Sequence, residues 1–174
     1  RNVIFLLLIS TMMIPGYVTL IPNFAIMVKL KLLNSHWALI LRSALSGSAT
    51  SIFLFRQFFL SIPRDLENAA IVDGCSWPGV FFRIIMPNSK PAIATVIILS
   101  FRSTWNSFLW PQLVLQTDRL WTWTLALKIL SESETNQAVL LAGSVISILP
   151  ILIIYLACQK YFVNSQVSAG FGGT

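Results

Sequence analysis

The chain has 174 residues, of which 56% are hydrophobic and only 10% are charged. Soluble globular domains carry about 25% charged residues, so this composition excludes an ordinary soluble domain and indicates a membrane protein. Twelve Lys and Arg against six Asp and Glu give a formal net charge of +6. Because basic residues beside spans are the usual signal of membrane topology, we interpret this excess as such a signal and expect no nucleic-acid partner.

Four apolar stretches, taken in chain order, meet the length of about 20 residues that a helix needs to cross a bilayer. They cover residues 3–28, 37–59, 93–115 and 138–162. The sequence therefore predicts an all-α, polytopic membrane protein with four spanning helices. Pro15 and Pro22 in the first stretch and Pro150 in the last remove backbone donors, and each predicts a kink.

A polar segment separates the second and third stretches. With an even number of crossings, it lies on the same side of the membrane as both termini. That side carries six basic residues against five on the other, which weakly favours the cytoplasm. The six are Arg1, Arg56, Arg64, Arg83, Lys90 and Lys160, and the five are Lys29, Lys31, Arg42, Arg119 and Lys128.

Motifs for chemistry are absent from the sequence. No Asp or Glu falls inside the four stretches, which argues against an ion-coupled transporter or a proton pump. The sequence has neither HExxH nor GxxxxGK[ST], so we expect no metal site, no catalytic site and no loop that holds ATP. Cys75 and Cys158 have no metal-type spacing, and His36, beside Trp37, fits an interfacial position better than a catalytic one.

The third stretch contains the candidate pathway residues Arg102, Trp105 and Asn106. A charge at the centre of a spanning helix costs about 2.5 to 3.5 kcal/mol on translocon scales, so Arg102 is expected to face protein or water. Two interpretations stay open: Arg102 lies on a solute pathway, or it extends to the interface or a neutralising partner.

The polar segment contains residues 68–87, NAAIVDGCSWPGVFFRIIMP. It resembles the cytoplasmic EAA loop of permeases of binding-protein-dependent ABC importers, which reads EAAxxxG, nine further residues and IxLP. The matching positions are Ala69, Ala70, Gly74, Ile84 and Pro87, at the same spacing. Two positions depart from the motif, because Asn68 stands in place of the glutamate and Met86 in place of the leucine. We call residues 63–90 the EAA-like segment.

Further blocks resemble the sugar-importing, maltose-type branch of this family and cover most of the chain. They are MIPGYVTLIPNF (13–24), FLFRQFFLSIP (53–63), SKPAIA (89–94), WNSFLWP (105–111) and QKYFVNSQVSAG (159–170). Permeases of this family usually have six spans. The resemblance therefore implies a helical bundle of the ABC importer permease type that lacks its first two spans here.

Function and partners follow from the resemblance as expectations. It implies a permease subunit in a bacterial or archaeal inner membrane, which forms part of the pathway for a sugar and binds no cofactor. Expected partners are cytoplasmic ATPase subunits that use the ATP, a second permease subunit, an extracytoplasmic solute-binding protein and membrane lipid. Alternatives are a permease for another solute, such as glycerol phosphate, and a channel-like membrane protein that meets no ATPase.

The resemblance also assigns the contact with the ATPase to particular residues. They are Leu66, Glu67, Asn68, Ala69, Ala70, Asp73, Gly74, Ile84 and Pro87. We expect a helix from about Pro63 to Val72, a turn at Gly74 and a second helix from about Trp77 to Ile85 that ends at Pro87. In place of the motif glutamate, either Glu67 makes the charged contact or Asn68 makes a neutral hydrogen bond.

Overall fold

The computed structural model describes residues 2–46, 48–133 and 136–170, without the side chains of residues 2, 45, 46 and 162–170. Helices and no strands occur in these ranges. The α-helices are α1 (Asn2–Ser10), α2 (Leu20–Lys29), α3 (Trp37–Ser46), α4 (Ala49–Ser61), α5 (Arg64–Val72), α6 (Trp77–Val80), α7 (Met86–Asn88), α8 (Lys90–Trp105), α9 (Leu109–Val114), α10 (Trp123–Glu132) and α11 (Gln137–Gly170). Short 3-10 helices cover Thr11–Met13 and Asp118–Leu120, and a π-helix covers Phe81–Ile85.

Continuous spanning helices are fewer than predicted. In the described part of the chain, only Gln137–Tyr161 of α11 is both long and apolar enough to cross a bilayer by itself. In two further pairs, one helix follows another after a bend, and if each pair counts as one span, the number of crossings rises to three. The pairs are Trp37–Ala44 with Ala49–Ser61 and Trp77–Asn88 with Lys90–Trp105. The sequence predicted four spanning helices, whereas the described part of the chain contains one continuous spanning helix and at most three crossings.

The first predicted span is divided between α1 and α2. Ile14 adopts an extended conformation, with φ −78° and ψ 117°, as expected for a residue that precedes a proline. The Val18 amide donates to the Pro15 carbonyl at 2.9 Å in the turn that follows. Pro22 does not break α2, because it lies in the first turn, where amides have no partner within the helix.

The third predicted span is divided at residues 106–108, between α8 and α9. Pro111 has no amide hydrogen to donate to the carbonyl of Ser107, so a continuous helix would lose that bond. The carbonyl of Trp105, at the end of α8, instead accepts a hydrogen bond from the Thr124 hydroxyl. In the second predicted span, α3 ends at Ser46 and α4 begins at Ala49. Gly47 of this span lies outside the described residues, as does Arg1.

The chain divides into two compact units. The first comprises Arg1–Ala49 and Phe101–Leu152. Its core contains Met27 from the end of α2, Ala38 from α3, and Trp110 with its neighbours from α9; the buried members are Met27, Ala38, Trp110, Val114 and Leu115. Leucines and aromatic residues of the same helices and their loops pack around this core.

The second unit comprises Thr50–Ser100 and Ile153–Thr174, and it contains the whole EAA-like segment. Ser89 forms a corner in this unit between α7 and α8, and the helical stretches before and after it meet at 69°. The Ser89 side chain is fully buried, and its hydroxyl donates to the Ile85 carbonyl at 2.6 Å. This bond satisfies the buried hydroxyl.

Candidate functional site

The first helix of the EAA-like segment is α5. It begins directly after Pro63, whose extended conformation (φ −59°, ψ 130°) serves as the N-cap. Asp65 and Glu67 lie in its first turn, where negative charge interacts favourably with the helix dipole. Local sequence therefore accounts for the start of this helix, as predicted.

A Schellman motif ends α5 at Gly74. The Cys75 amide donates to the Ala70 carbonyl at 2.9 Å, and the Gly74 amide donates to the Ile71 carbonyl at 3.0 Å. Gly74 has φ +83°, in the left-handed region that glycine adopts without a steric penalty from a Cβ atom. The predicted turn at Gly74 is confirmed. A Cβ atom at this position would lie more than 4 Å from every described residue except its chain neighbours, so the backbone conformation, and not obstruction, requires glycine.

The second helical stretch runs from Trp77 to Asn88 through a π-helix. Pro78 lies in its first turn, where a missing amide hydrogen costs nothing. The Met86 amide donates to the Phe81 carbonyl, five residues earlier. Pro87 has no amide hydrogen for the Arg83 carbonyl, which is consistent with a local change in helix register. The predicted end of this helix near Ile85, with a stop at Pro87, is wrong, because the helical stretch continues through Pro87 to Asn88.

The segment presents apolar side chains on its surface. The two helices α5 and α6 contact each other, and Ala70 and Val80 are buried. In contrast, Val72 is 86% exposed and Trp77 is 69% exposed. We call the exposed large apolar residues of the segment the apolar surface patch; they are Leu66, Ile71, Val72, Trp77, Phe81 and Phe82.

The remaining predicted residues of the segment lie around the same two helices. Glu67 and Ile84 are half-buried, whereas the others are exposed; these are Asn68, Ala69, Asp73, Gly74 and Pro87. The structure therefore brings the motif residues into one helix–turn–helix unit. Of the two motif alanines, only Ala70 is buried.

The candidate pathway residues are on and after the end of α8. Arg102 and Asn106 are exposed, whereas Trp105 is half-buried. The Trp105 indole N–H donates to the Ser147 carbonyl at 3.1 Å, and its ring stacks on Phe101 with centroids 5.5 Å apart. Trp105 therefore packs within this unit. Of the three candidate pathway residues, Arg102 and Asn106 are the exposed polar ones.

Ser147, on α11, is a contact residue that the sequence did not reveal. Its hydroxyl accepts a hydrogen bond from the Trp123 indole at 2.6 Å and donates to the Gly143 carbonyl at 3.0 Å. Its carbonyl, one turn before Pro150, accepts from Trp105. Pro150 in the sequence signals only that the Ile146 carbonyl lacks its partner within the helix, and it does not indicate the contacts of Ser147.

Asn34 is a second residue that sequence reasoning missed. Its side-chain oxygen accepts from the amides of Gln116 and Thr117 at 3.0 and 2.9 Å, and its amide group donates to the Thr117 hydroxyl at 2.8 Å. The backbone amide of Asn34 also donates to the Val114 carbonyl at 2.7 Å. This one residue therefore joins the loop after α2 to the segment after α9.

A third contact that was missed joins α3 to α9. The guanidinium of Arg42 lies over the Trp110 ring, 4.5 Å from its centroid, in cation–π geometry. The Trp110 indole donates to the Ala38 carbonyl at 3.3 Å.

In residues 2–46, 48–133 and 136–161, no group of three His, Cys, Asp or Glu side chains is arranged to hold a metal ion.

Comparison with known sequences identifies the family. Residues 1–165 match the family described as "Binding-protein-dependent transport system inner membrane component". The chain belongs to this family. The resemblance to ABC importer permeases and the all-α fold class are confirmed. The chain is therefore a membrane component, and its relatives are named as permease proteins and not as enzymes.

Two relatives illustrate the range of solutes in the names of family members. The chain is 42% identical over 174 residues to the arabinooligosaccharides transport system permease protein AraQ of Bacillus subtilis strain 168, covering 99% of this chain and 61% of that protein. It is 36% identical over 173 residues to the sn-glycerol-3-phosphate transport system permease protein UgpE of Salmonella typhi, covering 97% and 60%. The chain thus spans about 60% of the length of these relatives.

A solved structure has a similar fold. It is described as the crystal structure of a bacterial ABC transporter involved in the import of the acidic polysaccharide alginate. The TM-score is 0.75 at 28% sequence identity, and the match covers 93% of this chain and 62% of the other.

Proposed function

We propose that this chain is part of a permease subunit of an ATP-driven sugar importer in a bacterial or archaeal inner membrane. The observation that carries the proposal is the EAA-like segment, a helix–turn–helix unit with an apolar surface patch around an ordered Gly74 turn. Large exposed apolar patches mark interaction sites. The patch suits a groove on a cytoplasmic ATPase subunit, which uses the ATP.

Transport requires more than this chain. In the proposed assembly, a second permease subunit completes the pathway, and an extracytoplasmic solute-binding protein delivers the solute. ATP binding moves the ATPase subunits, and the EAA-like segment transmits that movement to the spans. ATP bound to the ATPase subunits thereby favours one of two packed arrangements of the membrane helices.

The proposed pathway includes Arg102 and Asn106. Both are exposed, and Arg102 forms no ion pair with another described residue. A charge in a membrane segment is stable only against protein or water. A water-filled pathway shared with the second permease subunit would satisfy both side chains.

Two alternative functions have less support. A channel-like protein without an ATPase is disfavoured by membership in the family of binding-protein-dependent transport components. A permease for glycerol phosphate is the second candidate for the solute, because one relative at 36% identity carries that name.

Co-purification tests the proposal through Val72, the most exposed residue of the apolar surface patch. We expect the tagged wild-type protein to retain an ATPase subunit during purification in detergent. The variant Val72→Asp should lose it, because a carboxylate would be transferred from water into an apolar contact. The control Gln137→Asp adds the same charge at an exposed position outside the segment and should retain the ATPase.

Two outcomes would contradict the proposal. One is a wild-type protein that retains no ATPase subunit under mild solubilisation. The other is an equal yield of ATPase with Val72→Asp and Gln137→Asp, since the apolar surface patch would then not be the contact.

A further inference from the structure

A cavity of about 360 Å³ lies in the first unit beside α9 and α10. Small-molecule sites in proteins usually have volumes of about 300 to 1,000 Å³, so this cavity accommodates a small ligand or one ring of a larger one. Its lining consists of Gln112, Leu115, Gln116, Trp121, Leu125 and Ile129. None of these residues belongs to the EAA-like segment or to the candidate pathway.

The lining combines two amides, one indole and three aliphatic side chains. Gln112 and Gln116 are four residues apart, and each amide group both donates and accepts hydrogen bonds. Trp121 offers a flat apolar ring with a polar edge, and Leu125 is fully buried. A sugar ring has the matching surfaces, because its hydroxyls donate and accept around the edge and its C–H groups form apolar faces.

The wall of the cavity is held by hydrogen bonds from outside it. Asn34 fixes the backbone of Gln116 and Thr117 through its side-chain oxygen. A ring nitrogen of His36 lies 3.1 Å from the Leu120 carbonyl, next to Trp121. The Trp121 amide donates to the Asp118 carbonyl at 3.1 Å. A wall that is ordered before the ligand arrives loses less conformational entropy on binding.

The lining contains no charged side chain. A phosphate or carboxylate is usually recognised by Arg, by Lys or by a helix N-terminus. Lys128 forms an ion pair with Glu132 at 3.0 Å, and neither residue lines the cavity. An anionic solute such as glycerol phosphate therefore lacks a partner here, whereas a neutral sugar does not.

We propose that this cavity binds one ring of a neutral carbohydrate, with Gln112 and Gln116 bonded to its hydroxyls and Trp121 packed on its face. The inference rests on the proposed function and names its solute class.

The test measures binding of arabinotriose, maltotriose and sn-glycerol 3-phosphate by isothermal titration. The full chain is purified in lipid nanodiscs together with the subunits that remain bound. At least one neutral sugar should bind more tightly than glycerol 3-phosphate. Gln112→Ala, Gln116→Ala and Trp121→Ala should each weaken that sugar about tenfold, which corresponds to about 1.4 kcal/mol.

Matched variants separate the cavity from general damage. Gln137→Ala and Trp37→Ala remove the same side chains at exposed positions and should leave the affinity unchanged. Trp121→Phe keeps an aromatic face and should retain most of the affinity, with the helical circular dichroism of each variant as a check of folding.

Three results would overturn the assignment: no binding of either neutral sugar, tighter binding of glycerol 3-phosphate, or equal affinities in the cavity variants and their controls. The ATPase content of the same samples is read in parallel. If the samples contain no ATPase but the cavity variants bind sugar more weakly than the wild type, only the proposed function is contradicted. If the ATPase is retained but the cavity variants bind sugar as tightly as the wild type, only the cavity assignment is contradicted.

Discussion

Gly74 shows how one residue determines the shape of the EAA-like segment. Its φ of +83° belongs to a Schellman motif that ends α5 and turns the chain toward Trp77. Space for a side chain is available, because no described residue other than the chain neighbours Asp73 and Cys75 has an atom within 4 Å of the Cβ position. Substitutions at Gly74 therefore report on backbone conformation and not on steric overlap.

A pair of substitutions at Gly74 tests this distinction. Residues with a Cβ lose about 1 to 2 kcal/mol in the left-handed conformation, and Asn tolerates it better than most. We expect Gly74→Val to uncouple ATP hydrolysis from uptake while the protein remains in the membrane, and Gly74→Asn to keep most of the uptake. Uptake assays in cells with equal membrane levels of each variant provide the measurement. Normal uptake by Gly74→Val would show that the turn is not needed.

Lys31 allows a prediction of increased stability. It has φ +56° at the end of α2, where the Leu32 amide donates to the Met27 carbonyl at 3.0 Å. Since glycine adopts this conformation without strain, Lys31→Gly should raise the free energy of unfolding by about 1 kcal/mol. Lys29→Gly, at the last residue of α2, should lower it by about 0.5 kcal/mol. Thermal unfolding in detergent distinguishes them, and a lower stability for Lys31→Gly would contradict the conformation described.

At the level of the helices, local signals in the sequence predicted the first helix and the turn of the EAA-like segment, because Pro63 and Gly74 act on their own neighbours. Pro87 did not end the second helical stretch, which passes through a π-helix and continues to Asn88. Spanning helices were predicted less well, because hydropathy measures composition and not continuity. The break at Pro15 was visible as a proline and was interpreted only as a kink.

The departure from the EAA motif at Asn68 leads to a prediction for α5. Glu67 is half-buried and Asn68 is exposed, so Asn68 is the more accessible of the two for a partner. We expect Asn68 to make a neutral hydrogen bond worth about 1 kcal/mol, whereas a bond to a charged group contributes about 1.5 to 3 kcal/mol. Asn68→Glu should therefore strengthen ATPase binding several-fold, and Glu67→Gln should change it little.

Affinities of purified ATPase for the two variants in nanodiscs test this prediction. A large loss for Glu67→Gln with no change for Asn68→Glu would show instead that Glu67 makes the charged contact.

At the level of the whole molecule, the contacts that build the first unit could not be predicted from one sequence. Asn34 bonds to Thr117, 83 residues away, and Trp110 bonds to Ala38, 72 residues away. Nothing local to these residues indicates their partners. The cavity beside α9 and α10 depends on the same long-range contacts, so Gln112 and Gln116 were not singled out either.

We propose that the EAA-like segment lies in the cytoplasm and contacts an ATPase. Cys75 offers a direct test, because it follows Gly74 at the turn and is partly exposed, whereas Cys158 on α11 is buried. A buried thiol reacts slowly with modifying reagents. The Cys158→Ser variant leaves Cys75 as the single thiol of the chain and removes any residual signal from α11.

The measurement is the labelling of Cys75 by a membrane-impermeant maleimide in intact cells and in inside-out vesicles, with and without the ATPase subunits. We expect labelling in vesicles stripped of ATPase, protection when the ATPase is added back, and no labelling in intact cells. Labelling in intact cells would contradict the cytoplasmic position of the segment, and equal labelling with and without ATPase would contradict its role as the contact.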